Sequence, residues 1–223
     1  MASQYAKKGV PYLENIESCS HFPKFKEALD NLKLADLNIP YDRKYLYNPD
    51  EPLKYLKILD EENLGMGVFF FPDGKGFHAH DHPNMFVATK ILDGTLLSHS
   101  YNPLDIERQK YLHKIIAEGR ENEPECAKDL EEGLLVDDLG TKEIKTGQTG
   151  YLTPVDRNVH SVKAVGECAM LDVFIPNYSH RHFYSVPKNA GEKKDQVLRL
   201  KMKLKGTTFN SIQLNYEEFK NKN

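Results

Sequence analysis

Short apolar runs separated by turn residues dominate the middle of the chain. Met66 to Phe71 is an apolar run that ends at Pro72-Asp73-Gly74, which is typical turn chemistry and predicts a buried strand. Further strands are predicted at 55–59, 85–92, 95–101, 147–152, 159–165 and 168–175, with a hairpin at Asp93-Gly94 and a turn at Gly166-Glu167. Many short strands at this spacing indicate an antiparallel barrel or sandwich.

The regions that flank these strands have different periods. Phe22, Phe25, Leu29 and Leu32 recur at helical spacing, so a packing helix is predicted from Ser20, as its cap, to Leu37. Residues 198–205 alternate apolar and basic side chains, which predicts a strand with one buried face. Its lysines are interpreted as guarding a sheet edge, and a basic docking stripe is the alternative.

The segment from about residue 104 to 132 breaks the strand pattern. Ile106, Leu112, Ile115 and Ile116 could line one face of a helix, and a strongly acidic stretch follows. We interpret the segment as a solvated insertion, and a lid that screens substrates by charge is the alternative. The predicted organisation is a helical segment at 1–50 that packs on a barrel, the barrel domain at 51–205, and a tail at 206–223.

Composition and charge narrow the class of partner. The 223 residues carry a net charge of −3, which gives no global attraction to nucleic acid or an anionic membrane. A small or peptide substrate is therefore expected. Three widely spaced cysteines favour a reducing compartment, and neither a signal peptide nor a membrane-spanning run is seen. A cytoplasmic location is expected, and access to the nucleus stays open.

Three histidines at alternate positions are the candidate chemistry. His78, His80 and His82 fall on one side of a predicted strand, where two imidazoles can converge on one metal ion. Both His78-His80 and His80-His82 are possible pairs. His160, at the start of a later strand, is the candidate third ligand, although an ordinary surface histidine is an equal alternative for that residue on its own.

The surroundings of the histidines resemble the first cupin motif. Gly74 precedes the pair and Gly94 follows it, but Phe86 and Val87 stand where that motif usually has a glutamate. A site of three neutral imidazoles without a carboxylate differs from the two-histidine, one-carboxylate site of other iron oxygenases. It keeps iron(II) at its full positive charge and leaves positions open for a thiolate and dioxygen.

Two longer motifs resemble the cysteamine dioxygenase and plant cysteine oxidase family of thiol dioxygenases. They are His80-Asp81-His82-Pro83-Asn84-Met85, in a register that selects His80 with His82, and the run from Leu171 to Tyr178. The resemblance extends from about Pro52 to Tyr184. It implies an all-β, cupin-like antiparallel double-stranded β-helix, or jelly-roll barrel, with a few peripheral helices. It also implies a monomer, and an Fe(2+) centre held by His80, His82 and His160.

The resemblance further implies a reaction and two residues near the substrate. The enzyme would add both atoms of O2 to the thiol of cysteamine, or of an N-terminal cysteine in a peptide or protein, to give a sulfinic acid. Asp172 would bind the substrate amine and Tyr178 would be catalytic, because a carboxylate can hold an ammonium and a tyrosine hydroxyl can donate a hydrogen bond. A strand aspartate satisfied by the backbone and a packed tyrosine are the structural alternatives.

Other readings of the same residues stay open. A cupin that binds a metal could catalyse another reaction, and a non-catalytic cupin could bind a ligand without iron. An oxygen sensor that marks N-terminal cysteines would have the same chemistry as an enzyme of thiol metabolism.

Overall fold

The computed structural model describes residues 16–39, 42–177, 181–188, 190, 196–204 and 210–214. Within these residues the chain forms ten strands and four α-helices. The helices are α1 (Phe22–Asn31), α2 (Arg43–Leu46), α3 (Ile106–Ala117) and α4 (Pro124–Glu132). The strands are β1 (Leu53–Glu61), β2 (Leu64–Phe71), β3 (Gly76–Asp81), β4 (Phe86–Pro103), β5 (Leu134–Lys145), β6 (Thr149–Leu152), β7 (Val159–Ile175), β8 (Phe183–Ser185), β9 (Val197–Lys203) and β10 (Ser211–Leu214).

Two long, bent strands organise the barrel. β4 and β7 pair with each other along most of their lengths, in antiparallel register. The second half of β7 also pairs with β2, and its first half pairs with β3. The first half of β4 pairs with β6, and its second half pairs with β5. Each long strand therefore pairs with different neighbours along its two halves within one ten-stranded sheet, and the predicted all-β, cupin-like double-stranded β-helix is confirmed.

The predictions of a hairpin at Asp93-Gly94 and of a turn at Gly166-Glu167 are wrong. Both segments continue as strand, and the β4–β7 register shifts at residues 91–95. Gly94 and Gly166 have φ values of 83° and 71°, which a glycine adopts without strain. These local irregularities bend the strands without reversing them, because an extra residue in one strand of a pair kinks the ladder.

Alternate residues of the long strands enter different apolar clusters. Val87 and Ile91 of β4 point into the barrel interior, where they meet Phe69, Phe71 and Phe174. Phe86 and Ala88 lie on the outer face of the same sheet and pack against Phe22 and Leu29 of α1. Both faces of this sheet are therefore covered, which explains why every residue from Cys168 to Ile175 is buried.

The N-terminal helix is shorter than predicted. It ends at Asn31 and is followed by a 3₁₀ turn at Leu34–Leu37, and its N-cap is His21 rather than Ser20. The buried ammonium of Lys90 in β4 donates to the carbonyl oxygens of Asp30, at 2.7 Å, and Gly147, at 2.6 Å. This lysine joins the end of α1 to the turn between β5 and β6.

A third apolar cluster covers the other side of the barrel. Helices α3 and α4 occupy the segment that was predicted to be a solvated insertion. Their residues Leu112, Ile115 and Leu130 are nevertheless buried in this third cluster. They pack with Leu198, Leu200 and Met202 of β9. The alternation predicted for β9 is confirmed, whereas its predicted place at a sheet edge is wrong, because β9 pairs with both β5 and β8.

The described helices are all too short or too polar to serve as a membrane span.

Candidate metal centre

Three buried histidines meet in the barrel interior. His80 lies in β3, His82 follows the end of that strand, and His160 lies in β7 directly opposite His80. Their relative exposures are 2%, 2% and 9%. The Nε2 atoms of His82 and His160 are 2.9 Å apart, and one ring nitrogen from each of the three histidines lies within 4.8 Å of the other two. The pairing of β3 with β7 thus joins residues that are far apart in sequence.

Burial and hydrogen bonding determine the protonation of these rings. The Nδ1 of His80 lies 2.8 Å from the carbonyl oxygen of His78, which can only accept, so Nδ1 carries the proton and Nε2 has the lone pair. Burial lowers the pKa of His80 to about 4. Burial, and then the neighbouring rings, hold the pKa values of His82 and His160 well below the usual range for histidine. All three imidazoles are therefore neutral near pH 7.

The donor set fits a divalent transition metal. Neutral imidazole nitrogens bind such ions, and two nitrogens at a right angle on one ion, each about 2.1 Å from it, lie roughly 3 Å apart. The 2.9 Å between the nitrogens of His82 and His160 matches that spacing. Among the described residues, no carboxylate or thiol joins this group of three histidines. Phe86 packs on the outer face of the sheet and Val87 is apolar, so neither replaces the absent glutamate.

The structure separates His78 from the other two histidines of its motif. The register between β3 and β7 shifts between Phe77 and His80, which leaves two residues of β3 opposite one residue of β7. The side chain of His78 is exposed, while those of His80 and His82 are buried. His78 therefore contributes its carbonyl oxygen to His80 and not a ring nitrogen to the cluster.

Asp172 lies on the interior face of β7, away from solvent. Its relative exposure is 6%, and the hydroxyl of Thr89 in β4 donates to its carboxylate at 2.5 Å. Burial raises the pKa of Asp172 to about 7, although the hydrogen bond from Thr89 acts in the opposite direction. The carboxyl group is thus poised to lose its proton near neutral pH, and a nearby cation would favour the ionised form.

Tyr55 is a second neighbour of Asp172 that the sequence analysis missed. Gly67 in β2 is the register partner of Asp172, and a Cβ at Gly67 would lie 2.5 Å from the hydroxyl oxygen of Tyr55. The tyrosine ring therefore occupies the space that a side chain at position 67 would take. Burial, and then the charge of Asp172, raise the pKa of Tyr55 to about 12. A glycine inside an apolar strand is the signal for such a close approach.

Tyr178, the predicted catalytic tyrosine, lies outside the described residues.

An open cavity of about 490 Å³ reaches the cluster from the side of His160. Ser98 and Ser100 of β4 form part of its wall, and Ser100 is the register partner of His160. Lys142 and Arg157 lie among the exposed residues around it. The cavity gives a ligand access to one side of the histidine cluster, while apolar side chains surround the rest.

The same three histidines and Asp172 fall within a match to a known family. The PCO_ADO family model matches residues 28–212, which is most of the chain. This chain belongs to the PCO_ADO family. The match spans strands β1 to β9, the start of β10 and the two helices α3 and α4, so the membership applies to nearly the whole domain.

Several known proteins and solved structures resemble the chain to different degrees. It is 30% identical to the 2-aminoethanethiol dioxygenase of Homo sapiens over 184 residues, which are 75% of this chain and 67% of that protein. It is 27% identical to plant cysteine oxidase 1 of Arabidopsis thaliana, covering 73% of this chain but only 52% of the plant protein. An uncharacterised double-stranded β-helix protein from Klebsiella pneumoniae has a TM-score of 0.40 at 13% identity, over 69% of this chain and 96% of that one.

Proposed function

We propose that this chain is a non-haem iron(II) thiol dioxygenase that converts a thiol and O2 into a sulfinic acid. The observation that carries the proposal is the group of three buried, neutral imidazoles with no carboxylate among them. The names of two relatives, 2-aminoethanethiol dioxygenase and plant cysteine oxidase 1, support thiol oxidation as the reaction. The reaction is balanced without a further reactant, because R–SH and O2 together contain all the atoms of R–SO2H.

Three histidines would hold the iron. His80, His82 and His160 would supply one nitrogen each, and the carbonyl oxygen of His78 keeps the proton of His80 on Nδ1, so that its Nε2 would be the donor to the ion. Iron bound there supplies the sites and the redox chemistry for a thiolate and dioxygen. Phe174, whose ring centroid is 6.3 Å from that of His82, helps to exclude water from this side of the cluster.

Asp172 would recognise the amine of the substrate. In the substrate-free site its carboxyl group has a pKa of about 7, because burial disfavours the charge. An arriving ammonium offsets that cost and draws Asp172 into its ionised form. Thr89 already donates to one carboxylate oxygen, which fixes the orientation of the group. A thiol that also carries a primary amine is therefore the expected substrate.

Both cysteamine and an N-terminal cysteine have this arrangement. The cavity of about 490 Å³ beside His160 is much larger than cysteamine, which has only a few heavy atoms. It lies in the volume range of pockets that hold drug-sized ligands. The extra volume favours an N-terminal cysteine that is followed by further residues, and we take that as the preferred substrate.

The test compares substrates under labelled oxygen. Iron-loaded protein is incubated with ¹⁸O2 and with cysteamine, a peptide that begins with cysteine, or the same peptide with an acetylated amine. Mass spectrometry should detect two ¹⁸O atoms on the first two substrates and much less on the acetylated peptide, which lacks the ammonium. His160→Ala serves as the control without a complete metal site.

Different results would favour the other candidate functions. A protein that binds iron but adds no oxygen to either thiol contradicts the dioxygenase and favours a metal cupin with another reaction. A protein that binds no more iron than His160→Ala favours a non-catalytic cupin. Equal labelling of the free and acetylated peptides would contradict the role of Asp172 while leaving the reaction in place.

A further inference from the structure

A second polar cluster lies behind the candidate metal ligands. Asp81 stands between His80 and His82, and because side chains alternate along a strand it points to the opposite face of β3. Its relative exposure is 0%. A buried carboxylate is costly unless several donors surround it, so its partners identify what holds this part of the chain in place.

Two elements supply the donors to Asp81. From β8 and the residue before it, the hydroxyl of Tyr184 donates to Oδ2 at 2.6 Å and the backbone N–H of His182 donates to Oδ1 at 2.9 Å. From α3, the Nε2 of His113 lies 2.7 Å from Oδ2, and the side-chain amide of Gln109 donates to the same oxygen at 3.4 Å. The carboxylate therefore connects the ligand-bearing strand to α3 and β8 at once.

The geometry of this cluster suits hydrogen bonding and not a second metal ion. Asp81, His113 and His182 have the donor types of a two-histidine, one-carboxylate site, and their atoms lie close enough together. However, the rings of His113 and His182 are stacked at 3.9 Å with only 10° between their planes. An ion bound to an imidazole nitrogen lies near the plane of that ring, and one ion cannot lie in two parallel, separated planes.

The backbone on either side of Asp81 is held as well. The N–H of Asp81 donates to the carbonyl oxygen of His182 at 3.1 Å. The side-chain amide of Asn158 donates to the carbonyl oxygen of His82 at 2.8 Å. The main chain that carries both histidine ligands is thus fixed by His182, which precedes β8, and by Asn158, which precedes β7.

We propose that Asp81 is a positioning residue for the metal centre, and that His113 on α3 acts through it. The inference rests on the proposed function, since it assumes that His80 and His82 bind the metal. The carboxylate fixes the rotation of the strand between them, and with it the direction of both imidazoles. Groups that orient ligands in this way typically change metal affinity or activity by 10- to 100-fold when they are removed.

According to this proposal, helix α3 helps to position the ligands of the metal centre. Gln109 and His113 are four residues apart, so they lie on the same face of the helix and reach Asp81 together. The helix itself begins at the cap Asp105, whose side chain accepts from the N–H of Arg108 at 2.8 Å. The segment between β4 and β5 would thus set metal affinity without supplying a ligand.

The experiment measures cobalt(II) binding to the full-length protein without oxygen. A chromophoric chelator competes for the metal, and the visible absorption of the bound cobalt reports the arrangement of its ligands. Asp81→Asn and His113→Leu should weaken binding by about 10- to 100-fold and alter the spectrum. His113→Gln, whose amide can still donate to Asp81, should stay much closer to the wild type in both measurements.

A buried neighbour provides the structural control. Leu112 precedes His113, is fully buried and packs in the third apolar cluster, so Leu112→Ala should lower the melting temperature of the metal-free protein. It removes no donor to Asp81, so its cobalt affinity and spectrum should match those of the wild type. If Asp81→Asn fails to fold, the cobalt affinities and spectra of His113→Leu and His113→Gln can still be compared, and that comparison tests the proposal.

Two outcomes overturn the inference. One is a folded His113→Leu protein with the affinity and spectrum of the wild type. The other is a loss of affinity in Leu112→Ala as large as that in His113→Leu, because the effect would then follow stability alone. A wild-type protein that binds cobalt no better than His160→Ala is a different result, and it overturns the metal centre and this inference together.

Discussion

At the scale of single residues, the contact between Tyr55 and Gly67 can be tested by adding one methyl group. A Cβ at position 67 would lie 2.5 Å from the hydroxyl oxygen of Tyr55, and the ring stacks on Phe69 at 4.4 Å. We expect Gly67→Ala to lower the free energy of unfolding by about 1–3 kcal/mol, because the ring must move within a packed interior. Urea unfolding measures this change, and the KM for an amine-bearing thiol should rise as well.

The matched control is Gly150→Ala in β6. A Cβ there would meet only Ile144, at an ordinary contact distance of 3.6 Å. Its effect on unfolding should be within about 0.5 kcal/mol. Equal effects of the two substitutions would contradict the placement of Tyr55 over Gly67.

The raised pKa of Asp172 predicts how the free energy of unfolding changes with pH. Its pKa is about 7 in the folded chain and 3.8 in the reference state, so between these values the folded carboxyl holds a proton that the unfolded one has released. The wild type should therefore lose stability relative to Asp172→Asn as the pH rises from about 4 to about 7, by up to about 1.4 kcal/mol per pH unit. Above about pH 7 the difference should become constant.

Urea unfolding of both proteins across this pH range measures the difference. Groups elsewhere in the chain contribute equally to the two proteins, so they cancel. Thr89→Val removes the hydrogen bond that lowers the pKa of Asp172, and it should extend the decline to higher pH. A difference that does not vary with pH would contradict the burial of an ionisable Asp172.

The sequence alone could predict part of this site and not the rest. The spacing of His80 and His82, with the motif around them, selected the two residues that the structure gathers with His160. Thr89 and Tyr55 could not be found in that way. Their place beside Asp172 depends on which strands pair and in which register, and no local pattern along the chain encodes that pairing.

At the scale of elements, the bend in β4 depends on Gly94. This residue has a φ of 83°, and a Cβ there would collide with the carbonyl oxygen of Glu167 in β7. We expect Gly94→Ala to cost about 3 kcal/mol or more, since the left-handed conformation and the collision with backbone both oppose the side chain. Urea unfolding checks the value.

Gly140→Ala in β5 isolates the conformational part of that cost. Gly140 has a φ of 76°, but no atom lies within 4 Å of a Cβ added there. Its cost should be about 1–2 kcal/mol. If both substitutions lowered the free energy of unfolding equally, the close approach between β4 and β7 would not contribute to the cost of Gly94→Ala.

The same element explains why turn signals misled the sequence analysis. Asp93-Gly94 is common in hairpins, because its residues tolerate a positive φ. A bulge in a long strand has the same requirement. Only the pairing of β4 with β7 on both sides of the bend distinguishes the two cases. For β9, by contrast, the strict alternation was sufficient to predict a strand and its buried face.

At the scale of the whole molecule, bound metal should stabilise the fold. An ion that binds only the folded chain raises the free energy of unfolding by about 2.7 kcal/mol when its free concentration is 100 times the Kd. Iron(II), added without oxygen, should therefore raise the melting temperature, and a chelator should reverse the rise. His160→Ala should show no such rise, and an equal rise in both proteins would place the binding elsewhere.

The proposed metal centre also has a consequence for how the protein is made. His80 and His160 face each other across the pairing of β3 with β7, although they are far apart along the chain. A nascent chain on the ribosome from which β7 has not yet emerged carries only two of the three histidines. A metal centre made by these histidines would therefore be completed only after β7 emerges, and a chain that stalls earlier would present His80 and His82 without His160.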